Sequence, residues 1–326
     1  MRSTARILAL VSAAVVAAGG ALVGTAAAAA PAPASVYRII DLGTRGGGGS
    51  SSAAAINARG HIAGQSNGHA VLWRDGRIVD LGLLPGGAVS FATDLNDRDE
   101  VVGYAATAAG TTHAFVWRDG RMRDLGALAG DNSYAFGINN AGDIVGWSAT
   151  EANNNGLHAI RWRGGRMIDL EPDLQYSIAR DITDDGWIVG LRSTPTHPAN
   201  AWGVAWWHGS ATMIMADTGD MPMAANDRHE AVGIFGTLVA GGQTTQLPTP
   251  AGATVIQAYG LNNRTQVVGF TDFTAVLWDH GTTIELPGLS AGVTGAYDIN
   301  DRGQIVGTSA TTPEGINQHA VLWTHP

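Results

Sequence analysis

Four histidines recur in one five-residue motif, His-Ala-x-x-Trp, and an imidazole can act as a metal ligand or as a general base near neutral pH. They are His69, His113, His158 and His319. Equivalent positions in successive repeats lie far apart on a ring, whereas bonds of about 2 Å must converge on one metal ion. We therefore predict that each histidine anchors the third strand of its repeat by hydrogen bonding, and that no metal or other cofactor is bound.

Two sets of repeated aspartates offer carboxylates that could bind calcium. The turn set is Asp75, Asp97, Asp119 and Asp301, and the strand-end set is Asp41, Asp80, Asp124 and Asp169. A calcium loop of the EF-hand type needs oxygen ligands at alternate positions and a final bidentate acid, which these turns lack. The pattern instead favours hydrogen bonding within turns and at strand ends.

Carboxylates outside the repeats could form the acid pair of a glycoside hydrolase, or the site of a polysaccharide lyase, at the mouth of a channel. The candidates are few: Glu151, Glu171, Asp173, Asp217, Asp220 and Glu314. The chain has no Cys and no Lys, which excludes thiol nucleophiles, thiolate metal sites and Schiff-base lysines. The enzyme remains our alternative function.

The composition limits the partners. The 326 residues carry a formal net charge of −9, and all 19 basic residues are Arg. An acidic chain without basic clusters does not match the electrostatics of nucleic-acid binding. We predict a monomer that binds no nucleic acid.

A repeat, Ile-Asn-x-x-Gly-x-Ile-Val-Gly in its clearest copies, defines the elements that carry these residues. Its second position recurs seven times at intervals of 36 to 44 residues. Each unit divides into four short strands separated by Asp, Asn and Gly, which accept the positive φ of hairpin turns. This arithmetic predicts an all-β, seven-bladed β-propeller of four-stranded antiparallel blades. The positions are Asn57, Asn96, Asn139, Thr183, Asn226, Asn262 and Asn300.

The two ends of the chain each carry a further signal. The last repeat stops at Trp323 without a fourth strand, while Tyr37 to Gly43 forms a spare one, so the N-terminal strand should close the last blade. An open β-solenoid is the competing fold. Residues 1–34 have the basic start, apolar run and small-residue end of a secretory signal peptide, with an uncleaved anchor as the alternative. Residues 35–326 are then a single propeller domain, extracellular and free of the membrane.

The second repeat resembles the HAF repeat family of extracellular bacterial proteins. The resemblance rests on His113-Ala114-Phe115-Val116-Trp117, Asp124-Leu125-Gly126, Asn132-Ser133 and Gly146-Trp147-Ser148, and extends over residues 36–326. Repeats four and five depart from the pattern. The resemblance implies an exported repeat protein and carries over no catalytic residue.

Six tryptophans recur at one strand position, which favours packing between neighbouring blades over stacking on a sugar. They are Trp73, Trp117, Trp162, Trp206, Trp278 and Trp323.

Binding is expected where the repeats differ, on the loops between strands two and three and on the crossings between blades, which should share one face. These loops vary in length and contain amides and aromatic side chains. We predict a non-enzymatic binding or scaffold module for an extracellular polysaccharide or protein. Its candidate contact residues are Phe91, Asp131, Asn132, Tyr134, Trp147, Tyr176, Trp202, Tyr259 and Tyr297.

Overall fold

The computed structural model describes residues 37–325 except 130, 152–155, 195–196, 216–217 and 316. The predicted signal peptide at residues 1–34 lies outside this range. The described residues form 28 strands in seven four-stranded antiparallel sheets. None of them belongs to a helix long and apolar enough to cross a membrane.

Each sheet is one blade, in which the strands follow one another from the inner edge to the outer edge. Blade one consists of β2 (Ser51–Ile56), β3 (Ile62–Ser66), β4 (His69–Arg74) and β5 (Arg77–Gly82). Blade two consists of β6 (Ser90–Leu95), β7 (Val101–Ala106), β8 (Thr112–Arg118) and β9 (Arg121–Asp124). Blade three consists of β10 (Ser133–Ile138), β11 (Ile144–Ala149), β12 (Leu157–Arg163) and β13 (Arg166–Asp169). Blade four consists of β14 (Ser177–Ile182), β15 (Ile188–Thr194), β16 (His197–Trp207) and β17 (Ser210–Met213). Blade five consists of β18 (Pro222–Ala225), β19 (Ala231–Gly233), β20 (Thr237–Ala240) and β21 (Gln243–Gln246). Blade six consists of β22 (Ile256–Leu261), β23 (Val267–Thr271), β24 (Thr274–Asp279) and β25 (Thr282–Glu285). Blade seven consists of β26 (Thr294–Ile299), β27 (Ile305–Ala310), β28 (Gln318–Thr324) and, at its outer edge, β1 (Arg38–Asp41).

Blade seven is built from both ends of the chain, as predicted. β1 pairs antiparallel with β28, in a register that places Arg38 opposite Thr324 and Asp41 opposite Val321. The seventh blade also bonds directly to the first, because Asn300 Nδ2 donates to the Asn57 carbonyl at 3.0 Å. The prediction of a closed seven-bladed propeller is confirmed, and the open solenoid is wrong.

Repeats four and five form blades despite their departures from the repeat pattern. Blade four contains the longest strand, β16 with 11 residues, and blade five the shortest, β19 with three. Both keep the four-stranded order. The repeat pattern is therefore sufficient but not necessary for a blade in this protein.

The glycine that ends the Ile-Val-Gly segment allows a bulge in the inner strand. In blade three the register shifts between Ala135 and Gly137, opposite Gly146. This shift brings the Tyr134 carbonyl oxygen to 1.9 Å from where a Cβ on Gly146 would stand. A side chain at residue 146 would therefore clash with backbone, and the same holds in five other blades, at Gly64, Gly103, Gly190, Gly269 and Gly307.

The core consists of apolar clusters between adjacent blades. Trp73, for example, packs with Val306 and Ala320 of blade seven and with Ile62 of its own blade. Its indole N–H donates to the Leu42 carbonyl at 3.0 Å. Each blade thus buries both of its surfaces against its neighbours, and only the two ends of the ring and its outer rim face solvent.

The two ends of the ring differ. Since strands alternate in direction, the hairpin turns after the inner strand and after the third strand emerge together; we call this the turn face. The loops between strands two and three, and the crossings between blades, emerge on the opposite end, the loop face. The described chain exposes seven large apolar side chains. Four of them lie on the loop face: Val89, Phe235, Val255 and Phe273. The other three lie on outer strands: Ile40, Ile168 and Met213.

Candidate functional site

A ring of side-chain amides encircles the channel at the turn face. In six blades the repeat asparagine donates its Nδ2 to the carbonyl of the equivalent residue in the next blade, at 2.9–3.1 Å. Its Oδ1 accepts two N–H groups of its own turn, as Asn57 does from Arg59 and His61 at 3.0 Å. The repeat pattern predicts the turns at these asparagines but gives no sign that the amides also tie blade to blade.

The amide ring has one gap, at the joint between blades four and five, because Thr183 has no amide to donate. There His229 of blade five stacks on Trp187 of blade four, with ring centroids 5.0 Å apart. His229 Nε2 also lies 2.9 Å from Asp185 Oδ2. A stacked imidazole therefore serves where the other joints use an amide.

The residues after the seven repeat positions form a second belt at the turn-face mouth, with polar side chains in every blade but the first, where Ala58 donates its N–H to Asp97 at 2.9 Å. Asn140 donates to the carboxylates of Asp97 and Asp184 at 3.2 and 2.9 Å, and Asn263 bonds Asp227 and Asp301 at 3.1 and 3.0 Å. The belt and the amide ring surround a cavity of about 380 Å³. Within the described part of the chain, no group of three or more His, Asp or Glu side chains could hold a metal ion.

Three carboxylates lie deeper in the channel wall and staple the inner strands in pairs. Asp94 accepts the N–H of Ile138 in the next blade at 2.7 Å, and Asp181 does the same for Ala225 at 2.7 Å. Asp298 accepts from Ile56 at 2.8 Å and so joins blade seven to blade one. The second oxygen of each accepts the N–H of the following residue.

Burial raises the pKa of all three carboxyl groups. The effect is strong for Asp94, where the charge of Asp181 adds to it, and it brings the pKa of Asp298 to about 7. Because both oxygens of each group already accept backbone N–H groups, the geometry describes staples rather than a free acid and base. These three residues were not among the predicted sites.

Arg180 lies on β14, the inner strand of blade four, and reaches side chains of both adjacent blades. Its Cζ lies 4.5 Å from the centre of the Phe136 ring in blade three, and its Nη2 lies 3.5 Å from Met223 Sδ in blade five. No carboxylate of the described residues is within ion-pair distance of this guanidinium. Burial lowers its pKa to about 10, because the loss of hydration outweighs the attraction of the more distant Asp181 carboxylate.

Aromatic side chains meet on the first two strands of blades two and three, toward the loop face, and Trp147 among them is buried. Phe91, Tyr104, Tyr134 and Trp147 form a continuous row across blades two and three, with successive centroids 5.2, 4.6 and 4.6 Å apart. We call this row the aromatic row. Burial raises the pKa of Tyr104 to about 12, so its hydroxyl remains neutral in any physiological medium.

A second aromatic group lies in blades six and seven. Tyr259 is 5.7 Å from Phe270 and 5.5 Å from Tyr297, and its hydroxyl donates to Gln257 at 2.7 Å. Burial, with the neighbouring Tyr297, raises the pKa of Tyr259 to about 12. Together these two groups place aromatic rings on the inner strands of blades two, three, six and seven.

The predicted contact residues are only partly brought together, and the prediction that they lie on loops is wrong for six of the nine. Phe91, Tyr134, Tyr259 and Tyr297 lie on inner strands, Trp147 on β11 and Trp202 on β16. The strands extend further toward the loop face than the repeat pattern indicates, because pairing continues past the motif residues. As a result, five of the six stand in the two aromatic groups.

The other three contact residues lie on crossings between blades. Asp131 is exposed, and Tyr176 is buried just before β14. Asn132 ties its crossing to blades two and three, because its Oδ1 accepts from Thr112 N–H at 2.7 Å and its carbonyl from Ala149 N–H at 2.8 Å. The structure does not join these three to the aromatic row.

The motif histidines pair with the strand-end aspartates of their own blades. The distances from Nδ1 to the carboxylate are 3.1 Å for His69 and Asp80, and 2.6 Å for His158 and Asp169. His319 reaches Asp41 at 2.9 Å and so fastens β1 to β28. His113 and Asp124 form the remaining pair, at 2.8 Å. The six motif tryptophans are all buried.

The five acids considered for hydrolysis that the structure describes do not form a pair in the channel. Glu171 accepts from Arg192 and from the Trp206 indole at 2.9 and 2.8 Å, and Asp220 accepts the N–H groups of the Phe235 turn. Glu151, Asp173 and Glu314 are exposed, and Asp217 lies outside the described residues.

A Gly-x-Ser-x-Gly segment at Gly64–Gly68, which was overlooked in the sequence, is not a nucleophile elbow either. Ser66 is buried within a hairpin, and its hydroxyl accepts from Arg45 N–H at 2.9 Å. Arg180 was missed as well. Aligning the residue after the repeat alanine would have found it, since the other blades carry Ala, Thr, Phe, Met or Tyr there.

Comparisons with known proteins bear on the fold. Neither a protein-family model nor a curated protein matches the chain. The structure of streptogramin B lyase is similar, with a TM-score of 0.56 at 10% identity, over 89% of this chain and 98% of that one. A structure assigned as a gluconolactonase has a TM-score of 0.43 at 12% identity, and the match covers 89% of this chain and 92% of that one. A structure assigned as TolB from Agrobacterium tumefaciens has a TM-score of 0.46 at 12% identity, and the match covers 84% of this chain and 90% of that one. At these identities the likeness shows the propeller fold alone.

Proposed function

We propose that the protein is an exported, non-enzymatic module that binds a glycan at the loop-face mouth of its channel. The observation that supports this most is the aromatic row, in which the half-buried rings of Phe91, Tyr104 and Tyr134 stand side by side on rigid strands. The buried Trp147 stacks on Tyr134 and supports it from behind. Aromatic faces on a rigid frame suit the apolar faces of sugar rings, and preformed sites lose little entropy on binding.

The contrast between the two ends of the ring supports the same choice of face. At the turn-face mouth the side-chain amides and carboxylates hydrogen-bond to one another, so few of these polar groups remain to bind a ligand. The loop face carries the exposed Val89, Phe235, Val255 and Phe273 around the aromatic mouth. The two ends therefore differ in chemistry, and the loop face is the one that offers apolar contacts to a ligand.

Export and the absence of catalysis are parts of this proposal. Export is inferred from the N-terminal sequence pattern and from the resemblance to the HAF repeat family. Binding is preferred to hydrolysis because the carboxylates of the channel wall are occupied by backbone N–H groups. The described acids outside the repeats are either bonded to other groups or exposed.

The test is retention of the chain from Ser35 onward, which contains the whole ring, on a panel of insoluble polysaccharides, with released sugar assayed in the same tubes. We expect retention without sugar release. The double variant F91A/Y134A should lower the binding constant at least about tenfold, since each aromatic contact contributes roughly 0.5–1.5 kcal/mol.

The matched control is F273A, which removes a phenyl ring that is 68% exposed on the same face. It should bind like the parent. Binding that survives F91A/Y134A but is lost in F273A would place the contact on the rim of the loop face instead. Sugar release would favour the hydrolase, and failure to bind any polysaccharide would overturn the proposal.

A further inference from the structure

Arg180 is the only charged residue at its position in the seven inner strands, the residue after the repeat alanine. The others are Ala54, Thr93, Phe136, Met223, Tyr259 and Tyr297. Contacts between equivalent residues run from Phe136 through Arg180 to Met223, and from Tyr259 to Tyr297. These residues therefore form one layer around the axis, in which the guanidinium lies between the side chains of blades three and five.

The guanidinium has five N–H donors and only weak acceptors in this layer. It meets a thioether sulfur and the face of a phenyl ring, each of which compensates a buried cation poorly. A buried charge without partners costs free energy, and natural proteins usually pair it. Part of the Arg180 side chain remains accessible from the channel.

The carboxylates nearest to Arg180 are committed to other partners. Asp181 holds the N–H groups of Ile182 and Ala225, each at 2.7 Å. Asp94 and Asp298, which also face the channel, hold backbone N–H groups in the same way. Their raised pKa values reduce the negative charge that a bound anion would meet below neutral pH. Tyr259, the other titratable group near Arg180, is neutral at any physiological pH.

We propose that Arg180 is the receptor for a carboxylate of the ligand, so that the glycan taken at the loop-face mouth is one that contains uronic acid. A planar carboxylate matches the guanidinium fork in a bidentate pair, which is the strongest neutral-pH interaction this side chain can make. The aromatic row stands toward the loop-face end of the same channel, where it can hold the ring that bears the carboxylate. This inference rests on the proposed function.

The experiment compares oligogalacturonate and oligoglucuronate with the same oligosaccharides after methyl esterification, which removes the charge and keeps the sugar. Calorimetric titration of the parent protein should show affinity at least about tenfold higher for the free acids. Arg180→Met should lose that difference and bind acid and ester alike. Arg180→Lys should recover part of it, because the charge remains and the fork does not.

Two features make the variant informative. Arg180→Met removes a half-buried cation that has no carboxylate partner among the described residues and replaces it with an unbranched apolar side chain, so its melting temperature should equal or exceed that of the parent. A purely structural arginine would give a lower melting temperature. Arg121→Met, the same change at an exposed position on β9, is the control and should leave binding unchanged.

The outcomes separate the two proposals. Equal affinity of the parent for acid and ester overturns the carboxylate inference and leaves glycan binding in place. If no oligosaccharide binds, the proposed function fails, and a titration with glucuronic acid followed at the Arg180 Nε–H nuclear magnetic resonance signal decides the inference alone. A signal that does not move would overturn it.

Discussion

Single side chains in this ring carry functions that their neighbours along the chain do not reveal. Asp298 joins the seventh blade to the first through the Ile56 N–H, yet it is a carboxyl group in a buried channel wall. The backbone N–H groups favour its ionised form and lower its pKa, whereas burial favours its neutral form and raises the pKa. Burial has the larger effect. A structural staple therefore titrates within the physiological range.

The pH dependence follows from the sign of this shift. The folded protein holds a proton on Asp298 up to about pH 7, whereas the unfolded chain releases it near pH 4. The free energy of unfolding should therefore fall as the pH rises from about 4 to 7. In Asp298→Asn this contribution disappears, so the melting temperature of the variant relative to the parent should rise by at least about 3 °C between pH 5 and pH 8.

The control for this experiment is Asp119→Asn, at an exposed turn position with φ of 53°, which Asn tolerates. Its melting temperature should follow that of the parent at every pH. A constant offset between Asp298→Asn and the parent from pH 5 to pH 8 would show that the Asp298 carboxyl group titrates normally.

The strands depend on a close approach of backbone to backbone. Opposite the inner-strand bulge of six blades lies a glycine on which an added Cβ would clash with a neighbouring carbonyl, as Gly146 would with Tyr134. The bulge, in turn, sets which inner-strand side chains reach the channel. One glycine in the second strand thus controls the placement of Tyr134 and Phe136 in the first.

Gly146→Ala should destabilise the protein by about 2–3 kcal/mol, because the added Cβ meets backbone that cannot rotate away. Gly48→Ala is the matched control, since residue 48 is exposed, its φ is not positive and nothing lies within 4 Å of the added Cβ. Denaturant unfolding of both variants measures the difference. Equal midpoints would mean that the bulge can shift at little cost.

The repeat made the strands, their order and the closing strand predictable, because periodic Gly, Asn and Asp mark turns whatever the intervening residues are. The channel was less predictable. Arg180 and Asp94 lie on inner strands whose neighbours across the axis are about 40 to 120 residues away, so only the ring brings them together. The bulge also changes which inner-strand side chains face inward, and a simple alternation along β6 or β10 would misplace Phe91 and Tyr134.

The whole ring depends on a strand contributed by the N-terminal end of the chain. β1 supplies the outer edge of blade seven, and His319 fastens it to Asp41. Without it, the edge of β28 would be open and Tyr37 and Ile39 would leave the core between blades six and seven. An open strand edge promotes aggregation.

Deleting residues 37–43 should lower the melting temperature by about 5 °C or more and cause association, as measured by calorimetry and light scattering. Moving the same residues behind Thr324, through an Asp-Gly turn copied from Asp75-Gly76, should restore both properties. Blade one is the precedent, since Arg74 and Arg77 pair across that turn. A deletion variant as stable as the parent would show that β1 is dispensable.

Seven blades of unequal length must also meet at a fixed circumference, and small misfits add up around the circle. Six joints use an amide and a carbonyl, a contact that works only within a few tenths of an ångström. Between blades four and five, stacking of His229 on Trp187 replaces that bond, and stacked rings remain attractive over a range of about 2 Å. That joint is nonetheless fastened, because Asp181 accepts the Ala225 N–H at 2.7 Å and His229 lies 2.9 Å from Asp185 across it. The circle is therefore held by polar contacts at all seven joints, and the change from amide to imidazole leaves none of them loose.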